Sequence, residues 1–317
     1  MKVKDIEFHS AEHVIEEIRN MNVKGGSPFG RAAAWAFKLV SEQEEFHTKE
    51  ELLNRYEDVA KQMIVLKPTM ATIYNTCHIV ETALDDLRNE NDINKIKRRI
   101  SSICSEIISY SFDAVDQLSE YGSNLIKDND IIMMHSYSST LMGIFIKAAG
   151  KGKKFTVICT ESRPLRESRM AVKILQKLKV NVIYITDASI YEFMPRTDYI
   201  IMGADSIAVD GSVANKMGTA LVSKLASCCK KPVYIASELY KLDLRTRYGY
   251  SIQLERRTEK EVISDGDFES LENIEVINQF FDLTPATDIK AIICEFGFIA
   301  PTKASDYWPE IVRKVVG

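Results

Sequence analysis

The sequence has no excess of positive charge. Its 317 residues include 41 Lys and Arg against 45 Asp and Glu, a formal net charge of −4. General nucleic-acid binders carry a basic excess, so nucleic acid is not expected as a partner. The basic clusters at 95–99 and 151–154 are typical of solvated surfaces.

The six cysteines include no Cys-x-x-Cys pair. The sequence therefore offers neither a typical zinc motif nor a thioredoxin-type motif, and we expect no metal and no other cofactor. Cysteines that lie inside apolar runs, such as Cys159 and Cys294, are typical of core positions. This usage indicates a reducing compartment and predicts a cytoplasmic protein.

Long apolar runs are also missing. No stretch approaches the roughly 18 residues that a membrane-spanning helix requires, so no membrane association is expected. The N-terminus, MKVKDIEFHSAEHVIEEI, has early acidic residues in place of the apolar centre of a secretory signal. Neither a Walker P-loop nor a G-x-G-x-x-G motif after a strand is present, which argues against dinucleotide binding.

The first part of the chain has the periodicity of helices. Apolar residues recur at helical spacing from residue 10 onward, and helices are predicted in AEHVIEEIRNM, in RAAAWAFKLVSEQ, and at 49–66, 70–88 and 92–121. Gly122-Ser-Asn marks a break. We predict a helical N-terminal domain over residues 1–127.

After residue 128, short apolar runs alternate with amphipathic segments. Six strands are predicted, in DIIMMH, KFTVICTES, VNVIYITDA, DYIIMGAD, KPVYIASEL and KAIICEFG. Helical patterns separate several of them. This order predicts an α/β domain over 128–317 with a parallel sheet and helices on both faces.

Polar residues follow the predicted strands, where ligands bind in open parallel sheets. Five of them are candidate ligand-binding residues: Ser136, Ser138, Arg163, Asp205 and Lys241. Together, hydroxyls, carboxylates and cations at one sheet edge could hold an anionic polyol. Taken singly, a Ser or Asp at such a position more often caps the next helix.

The segment 202–219, MGADSIAVDGSVANKMGT, carries the strongest signal. Asp205 follows a strand, Asp210-Gly211 predicts a tight turn, and Asn215 and Lys216 precede a helix. Free N–H groups at a helix start beside a lysine form an anion site. A second anion site is predicted at Lys24, Gly25 and Gly26, and Lys67 is a further candidate cation before a helix, although each place is more often a plain turn between helices.

The segment 202–219 closely resembles archaeal ribose-1,5-bisphosphate isomerases. These belong with methylthioribose-1-phosphate isomerase and the α, β and δ regulatory subunits of initiation factor 2B. Four further segments support the resemblance: VKGGSPFGRAAA, KPTMATIYN, CTESRPLRESRMA and FDLTPATDIKAIICEFGFIAP. The resemblance covers nearly the whole chain.

The resemblance implies a helical domain on a Rossmann-like domain, with a phosphorylated sugar between them. It implies a homodimer, assembling into a hexamer in the ribose-bisphosphate branch, and a nucleotide such as AMP is a candidate effector. Asp205 matches the catalytic Asp of the isomerases, and Asn215 and Lys216 match ligand-binding residues. Lys24 and Lys67 stand where the enzymes usually have Arg, while Arg163 and Lys241 lie at matching strand ends.

One position departs from the isomerases, which have a Cys where this chain has Ser136. A thiol titrates at about pH 8.5 and exchanges protons near neutrality, whereas a serine hydroxyl is far less acidic. Two hypotheses follow: an aldose–ketose isomerase with Asp205 as the main acid-base group, or a non-catalytic regulatory subunit that binds a sugar phosphate or nucleotide and an initiation-factor partner. A third, a binding module using the helices of 40–120, has no particular signal.

Overall fold

A computed structural model describes residues 6–317. Residues 1–5 lie outside the described residues. They begin the predicted first domain and the segment in which no secretory signal was expected. Within 6–317, none of the helices combines the length and the apolarity that crossing a bilayer requires.

Within residues 6–125, five helices form the N-terminal part, as predicted. The break predicted at Gly122 is wrong, because the last of these helices continues to Leu125. Gly122 lies inside that helix where it packs closely on Ile144, and a Cβ there would clash with Ile144 Cδ1. The side chains of Ser10, Thr48 and Asp92 accept backbone N–H groups at the starts of the first, third and fifth helix, which explains where these helices begin. The helices are α1 (Ala11–Arg19), α2 (Gly26–Gln43), α3 (Lys49–Leu66), α4 (Ala71–Asp86) and α5 (Ile93–Leu125).

The six predicted strands are confirmed, and all six run parallel to one another in one sheet. They are β1 (Ile131–Met134), β2 (Thr156–Thr160), β3 (Asn181–Ile185), β4 (Tyr199–Met202), β7 (Val233–Ala236) and β12 (Ala291–Cys294). A seventh strand, β13 (Gly297–Ile299), pairs antiparallel with β12 and was not predicted. The order across the sheet is β13-β12-β7-β4-β1-β2-β3. The α/β prediction is confirmed, with one antiparallel edge.

Further helices connect or follow the strands. They are α6 (Ser139–Gly150), α7 (Ser168–Lys177), α8 (Ile190–Phe193), α9 (Thr219–Cys228) and α10 (Trp308–Val316). Residues on the two sides of each strand alternate between two apolar clusters: Met133 packs with residues of α1–α5, whereas Ile132 and Met134 pack with residues of α6 and α7. The sheet is therefore buried on both faces, as predicted for its near-continuous apolar strands.

A second sheet was not predicted, because its strands are short. It has the order β11-β6-β5-β8, formed by β5 (Ser206–Ala208), β6 (Val213–Lys216), β8 (Leu242–Asp243) and β11 (Phe281–Thr284). The predicted turn at Asp210-Gly211 joins β5 and β6 as a hairpin. Two further short strands, β9 (Arg256–Arg257) and β10 (Asn278–Gln279), lie between β8 and β11 in the chain and pair antiparallel with each other.

The N-terminal helices and one face of the large sheet share a continuous apolar cluster. The change from helices to alternating elements falls between Leu125 and Ile131. The division into domains at 127 and 128 stays a prediction.

Candidate functional site

A cleft of about 610 Å³ lies between the turns of the N-terminal helices and the carboxyl edge of the sheet. Six of the predicted site residues line it, and they come from both parts of the chain: Lys24, Gly25, Lys67, Ser136, Asp205 and Lys216. The remaining predicted residues, Gly26, Ser138, Arg163, Asn215 and Lys241, are not among the lining residues.

Asp205 lies between β4 and β5 at the base of the cleft. Its backbone N–H donates to Ala214 O at 2.9 Å, which fixes it to the β5–β6 hairpin. Burial raises the pKa of the Asp205 carboxyl to about 6, against the opposing charges of Lys241 and Lys216. The group can therefore hold or release a proton near neutral pH.

Ser136 follows β1 in a left-handed backbone conformation, with φ +63°. Its backbone N–H donates to Ser162 Oγ at 2.7 Å, and the residue is 7% exposed. This turn places its hydroxyl on the same cleft as Asp205.

His135 points away from the cleft. Its Nε2 lies 2.8 Å from Met217 O and its Nδ1 2.7 Å from Thr160 Oγ1, so Nε2 carries the proton donated to the carbonyl. Burial lowers the pKa of the His135 ring. The ring also fills the space where Gly218 would carry a Cβ, 2.7 Å from Nε2. His135 is therefore neutral and structural, and gives Ser136 no base.

The start of α2 faces the cleft through Lys24 and Gly25. Gly25 precedes the helix with φ +91°, and among residues 6–317 no side chain caps the helix start. Gly26 lies behind them, because a Cβ there would come within 2.9 Å of Lys241 Cε. An uncapped helix start beside a lysine is the geometry that binds an anion.

Lys67 stands at the end of α3, across from the start of α2. Its Nζ lies 2.8 Å from Met21 Sδ and 5.9 Å from the centre of the Phe29 ring. Burial lowers the pKa of Lys67, partly offset by the negative charge of Glu255. An anionic ligand beside Lys67 would stabilise its charged ammonium form and so oppose the effect of burial.

Lys216, at the end of β6, is already engaged. Its Nζ donates to Glu167 Oε1 at 2.7 Å and lies 3.5 Å from the centre of the Phe280 ring. Burial lowers the pKa of Lys216, and the Glu167 charge works in the opposite direction. An anionic ligand would have to share this ammonium group with Glu167.

The predicted residues outside the cleft lining have other contacts. Ser138 Oγ accepts a hydrogen bond from the Leu141 N–H and so caps α6. Helix capping is the more common role of a serine at the end of a strand. Asn215 Nδ2 donates to Thr219 Oγ1 at 2.8 Å. Arg163 is exposed, and its Nη2 donates to Val262 O at 2.9 Å. Lys241 is buried below Asp205 and donates to Ala204 O at 2.8 Å.

The start of α9 differs from the predicted anion site. The backbone N–H groups of Gly218 and Ala220 donate to Asp282 Oδ2 at 2.7 and 3.1 Å. A carboxylate of the chain thus fills the position that the sequence suggested for a ligand anion. Burial raises the pKa of Asp282 to about 6, although these N–H groups lower it.

Several lining residues were missed in the sequence. They comprise the cations Arg166, Arg169 and Arg257, the carboxylates Glu167 and Glu255, and the aromatic residues Phe29 and Phe280. Glu255 and Arg257 are two apart on an extended segment, so both face one side. This spacing in the sequence could have predicted that Glu255 and Arg257 face the same side. No sequence pattern, however, indicated that their segment lies near the edge of the sheet.

Metal ligands do not come together within the described residues, where no three His, Cys, Asp or Glu side chains form a candidate cluster. The chemistry that the cleft supports is the binding of an anion by several cations beside a carboxyl group with a raised pKa.

A family model described as the initiation factor 2 subunit family matches residues 22–301. The chain is 33% identical over 299 residues to ribose 1,5-bisphosphate isomerase of Pyrococcus furiosus, covering 94% of this chain and 92% of that protein. It is 31% identical over 290 residues to a putative translation initiation factor eIF-2B subunit 2-like protein of the same organism, covering 92% and 96%. The crystal structure of translation initiation factor eIF-2B from Pyrococcus horikoshii superimposes with a TM-score of 0.79 at 28% identity, covering 92% of this chain and 98% of that one. The chain therefore belongs to the initiation factor 2 subunit family.

Proposed function

We propose that the protein is an aldose–ketose isomerase that acts on a phosphorylated sugar of the ribose 1,5-bisphosphate type. The observation that carries the proposal is the Asp205 carboxyl group, which lines a cation-rich cleft and has a pKa raised to about 6 by burial. A carboxyl group with a pKa close to the working pH is suited to accept a proton from a substrate and return it.

The proposed chemistry is internal to the sugar. One carbon is oxidised from alcohol to carbonyl while its neighbour is reduced, so no external oxidant is needed. Asp205 accepts a proton from the sugar in one direction and returns it when the product forms. Ser136 lies on the same cleft, and its hydroxyl would orient a sugar hydroxyl.

Several cations line the cleft, which suits a ligand that carries phosphate groups. Lys24 and Lys67, with the uncapped start of α2, form the side contributed by the N-terminal helices. Lys216 and Arg257 come from the C-terminal part of the chain, and both approach the Phe280 ring. Lysine lacks the bidentate geometry of arginine, so single phosphate contacts are expected from Lys24 and Lys67.

The test is to incubate the protein with ribose 1,5-bisphosphate in deuterated water and to measure both product and label on the sugar carbons. Asp205→Asn should lower turnover by roughly 10²- to 10⁴-fold, the usual contribution of a general acid-base group. The matched control is Asp306→Asn, because Asp306 is 60% exposed on the surface. Equal activity of Asp205→Asn and wild type would overturn the proposal, and a hydride shift would give product without label.

A regulatory role is the second candidate, and the serine at position 136 favours it, because isomerases have a thiol there. Under this alternative the protein binds a sugar phosphate or nucleotide without turnover and contacts an initiation-factor partner. Binding of ribose 1,5-bisphosphate and related aldose phosphates without any product would favour it over the isomerase.

We also propose a homodimer or a hexamer, AMP or another nucleotide as effector, and a cytoplasmic location. Six free cysteines support the reducing compartment. Light scattering coupled to size-exclusion chromatography, with and without AMP, tests the assembly.

A further inference from the structure

The carboxylate of Glu255 has an oxygen atom with no hydrogen-bond partner. Glu255 lines the cleft, and among the described residues nothing donates a hydrogen bond to its Oε1, which is buried. A buried acceptor without a donor is unfavourable by about 1–3 kcal/mol, and more when it is charged. Native proteins retain such a group where a ligand or an ordered water donates the missing hydrogen bond.

The backbone around Glu255 is firmly held. Phe280 N donates to Glu255 O at 3.2 Å, next to the β9–β10 pair in which Arg256 lies opposite Gln279. The Thr69 hydroxyl donates to Gln253 O and ties this segment to the turn that carries Lys67. The backbone that carries this carboxylate is therefore held by contacts from both parts of the chain.

The charged groups near Glu255 lie at the proposed reaction centre. Its negative charge acts on Lys67, a proposed phosphate ligand, and on Asp205, the proposed acid-base group. Arg257, on the same side of the strand, pairs with Glu261 at 2.6 Å. Glu255 thus lies within electrostatic reach of both groups that would meet the substrate.

A carboxylate repels the negative charge of a phosphate group and offers its oxygen atoms no donor. Its natural partner in the cleft is a donor, and a sugar supplies hydroxyl donors beside its phosphates. Glu167 Oε2 is also buried without a partner, but Glu167 already holds Lys216 through Oε1.

We propose that Glu255 is a substrate-binding residue whose carboxylate accepts a hydrogen bond from a hydroxyl group of the bound sugar phosphate. The inference rests on the proposed function, because it needs a sugar phosphate in the cleft. It makes Glu255 a specificity residue that selects polyols over simple phosphates. Hydroxyl-free anions gain nothing from it and are repelled by its charge.

The test compares two probes, ribose 1,5-bisphosphate and the hydroxyl-free anion sulfate, by calorimetry with wild type, Glu255→Ala and Glu255→Gln. The affinity of Glu255→Ala for the sugar should fall roughly ten- to hundredfold, as for loss of a hydrogen bond to a charged group. Its affinity for sulfate should stay equal or rise. Glu255→Gln, which keeps an acceptor oxygen, should be intermediate. Glu269→Ala, at an exposed position, is the control.

The outcomes separate the two proposals. Wild type that fails to bind the sugar phosphate overturns both the proposed function and the role of Glu255. If wild type and Glu255→Ala bind the sugar phosphate equally tightly, only the role of Glu255 is overturned. An equal loss for both probes shows that the substitution disturbs the cleft as a whole, and also contradicts the inference.

Discussion

Lys216 Nζ donates to Glu167 Oε1 at 2.7 Å inside the cleft. The two side chains are only 3% and 19% exposed, and the ammonium group also lies over Phe280. The pair connects β6 to the segment that follows β2, so one ion pair joins two edges of the candidate site.

Breaking this pair from one side should destabilise the protein. Glu167→Gln leaves the Lys216 ammonium buried beside a neutral group, and the free energy of unfolding should fall by about 3 kcal/mol. Adding Lys216→Met should recover part of this loss, because no uncompensated charge remains. Urea unfolding of both single variants and the double variant measures the coupling.

The control for that cycle is the exposed pair Lys61 and Glu57, whose side chains are 69% and 59% exposed. Glu57→Gln should change the free energy of unfolding by less than about 1 kcal/mol. Equal effects at the two pairs would contradict the view that burial makes the Lys216 pair important.

Asp205 should make stability depend on pH. Its pKa in the folded protein is about 6, above the ordinary 3.8, so the folded state binds the proton more tightly than the unfolded state. Ionisation therefore destabilises the fold, and the loss develops as pH rises from about 4 to about 6. Asp205→Asn should be more stable than wild type at pH 8, by on the order of 2 kcal/mol.

Thermal unfolding at pH 8 and at pH 4 measures this difference, which should shrink at the lower pH because wild type is then protonated. The same variant should lose turnover at both values. A gain in stability that persists unchanged at pH 4 would assign the effect to packing and not to the charge.

Ser138 should contribute to stability and not to ligand affinity. Its Oγ accepts the Leu141 N–H at 3.2 Å at the start of α6, so Ser138→Ala should cost about 1 kcal/mol. Thr48→Ala, at the start of α3, should cost a similar amount and is the matched control. A tenfold loss of sugar-phosphate affinity in Ser138→Ala alone would instead support a substrate contact.

Lys24 and Lys67 should contribute more to phosphate binding than the predicted Arg163. Lys24→Ala and Lys67→Ala should each weaken binding of inorganic phosphate by roughly tenfold, the scale of one charge-assisted hydrogen bond. Arg163→Ala should leave the affinity nearly unchanged, because Arg163 is exposed and bonded to Val262 O. Calorimetry at one fixed salt concentration makes the comparison, and a larger loss at Arg163 would reverse the assignment.

Ser136→Cys should raise turnover of ribose 1,5-bisphosphate by roughly tenfold or more if the isomerase proposal holds, because a thiol exchanges protons far more readily near neutrality. The residue is 7% exposed and the two side chains are similar in size, so the fold should tolerate the change. Product formation measures the effect, with Ser136→Ala as control. No gain over Ser136→Ala would favour the regulatory alternative.

The sequence by itself determined the six parallel strands, the helices between them and the position of Asp205 at a strand end. Apolar periodicity and strand-end polarity are local properties, so they can be read without coordinates. The family resemblance also pointed to Lys24 and Lys67, which lie on the cleft in the structure.

Only the tertiary structure decided which polar side chains share the cleft. Ser138 and Asn215 bond to nearby groups of the chain, Asp282 fills the start of α9, and Glu255 reaches the cleft from a segment about 50 residues away from Asp205 in sequence. Whether a polar group meets a ligand or another part of the chain depends on long-range contacts and burial, and no local pattern contains either.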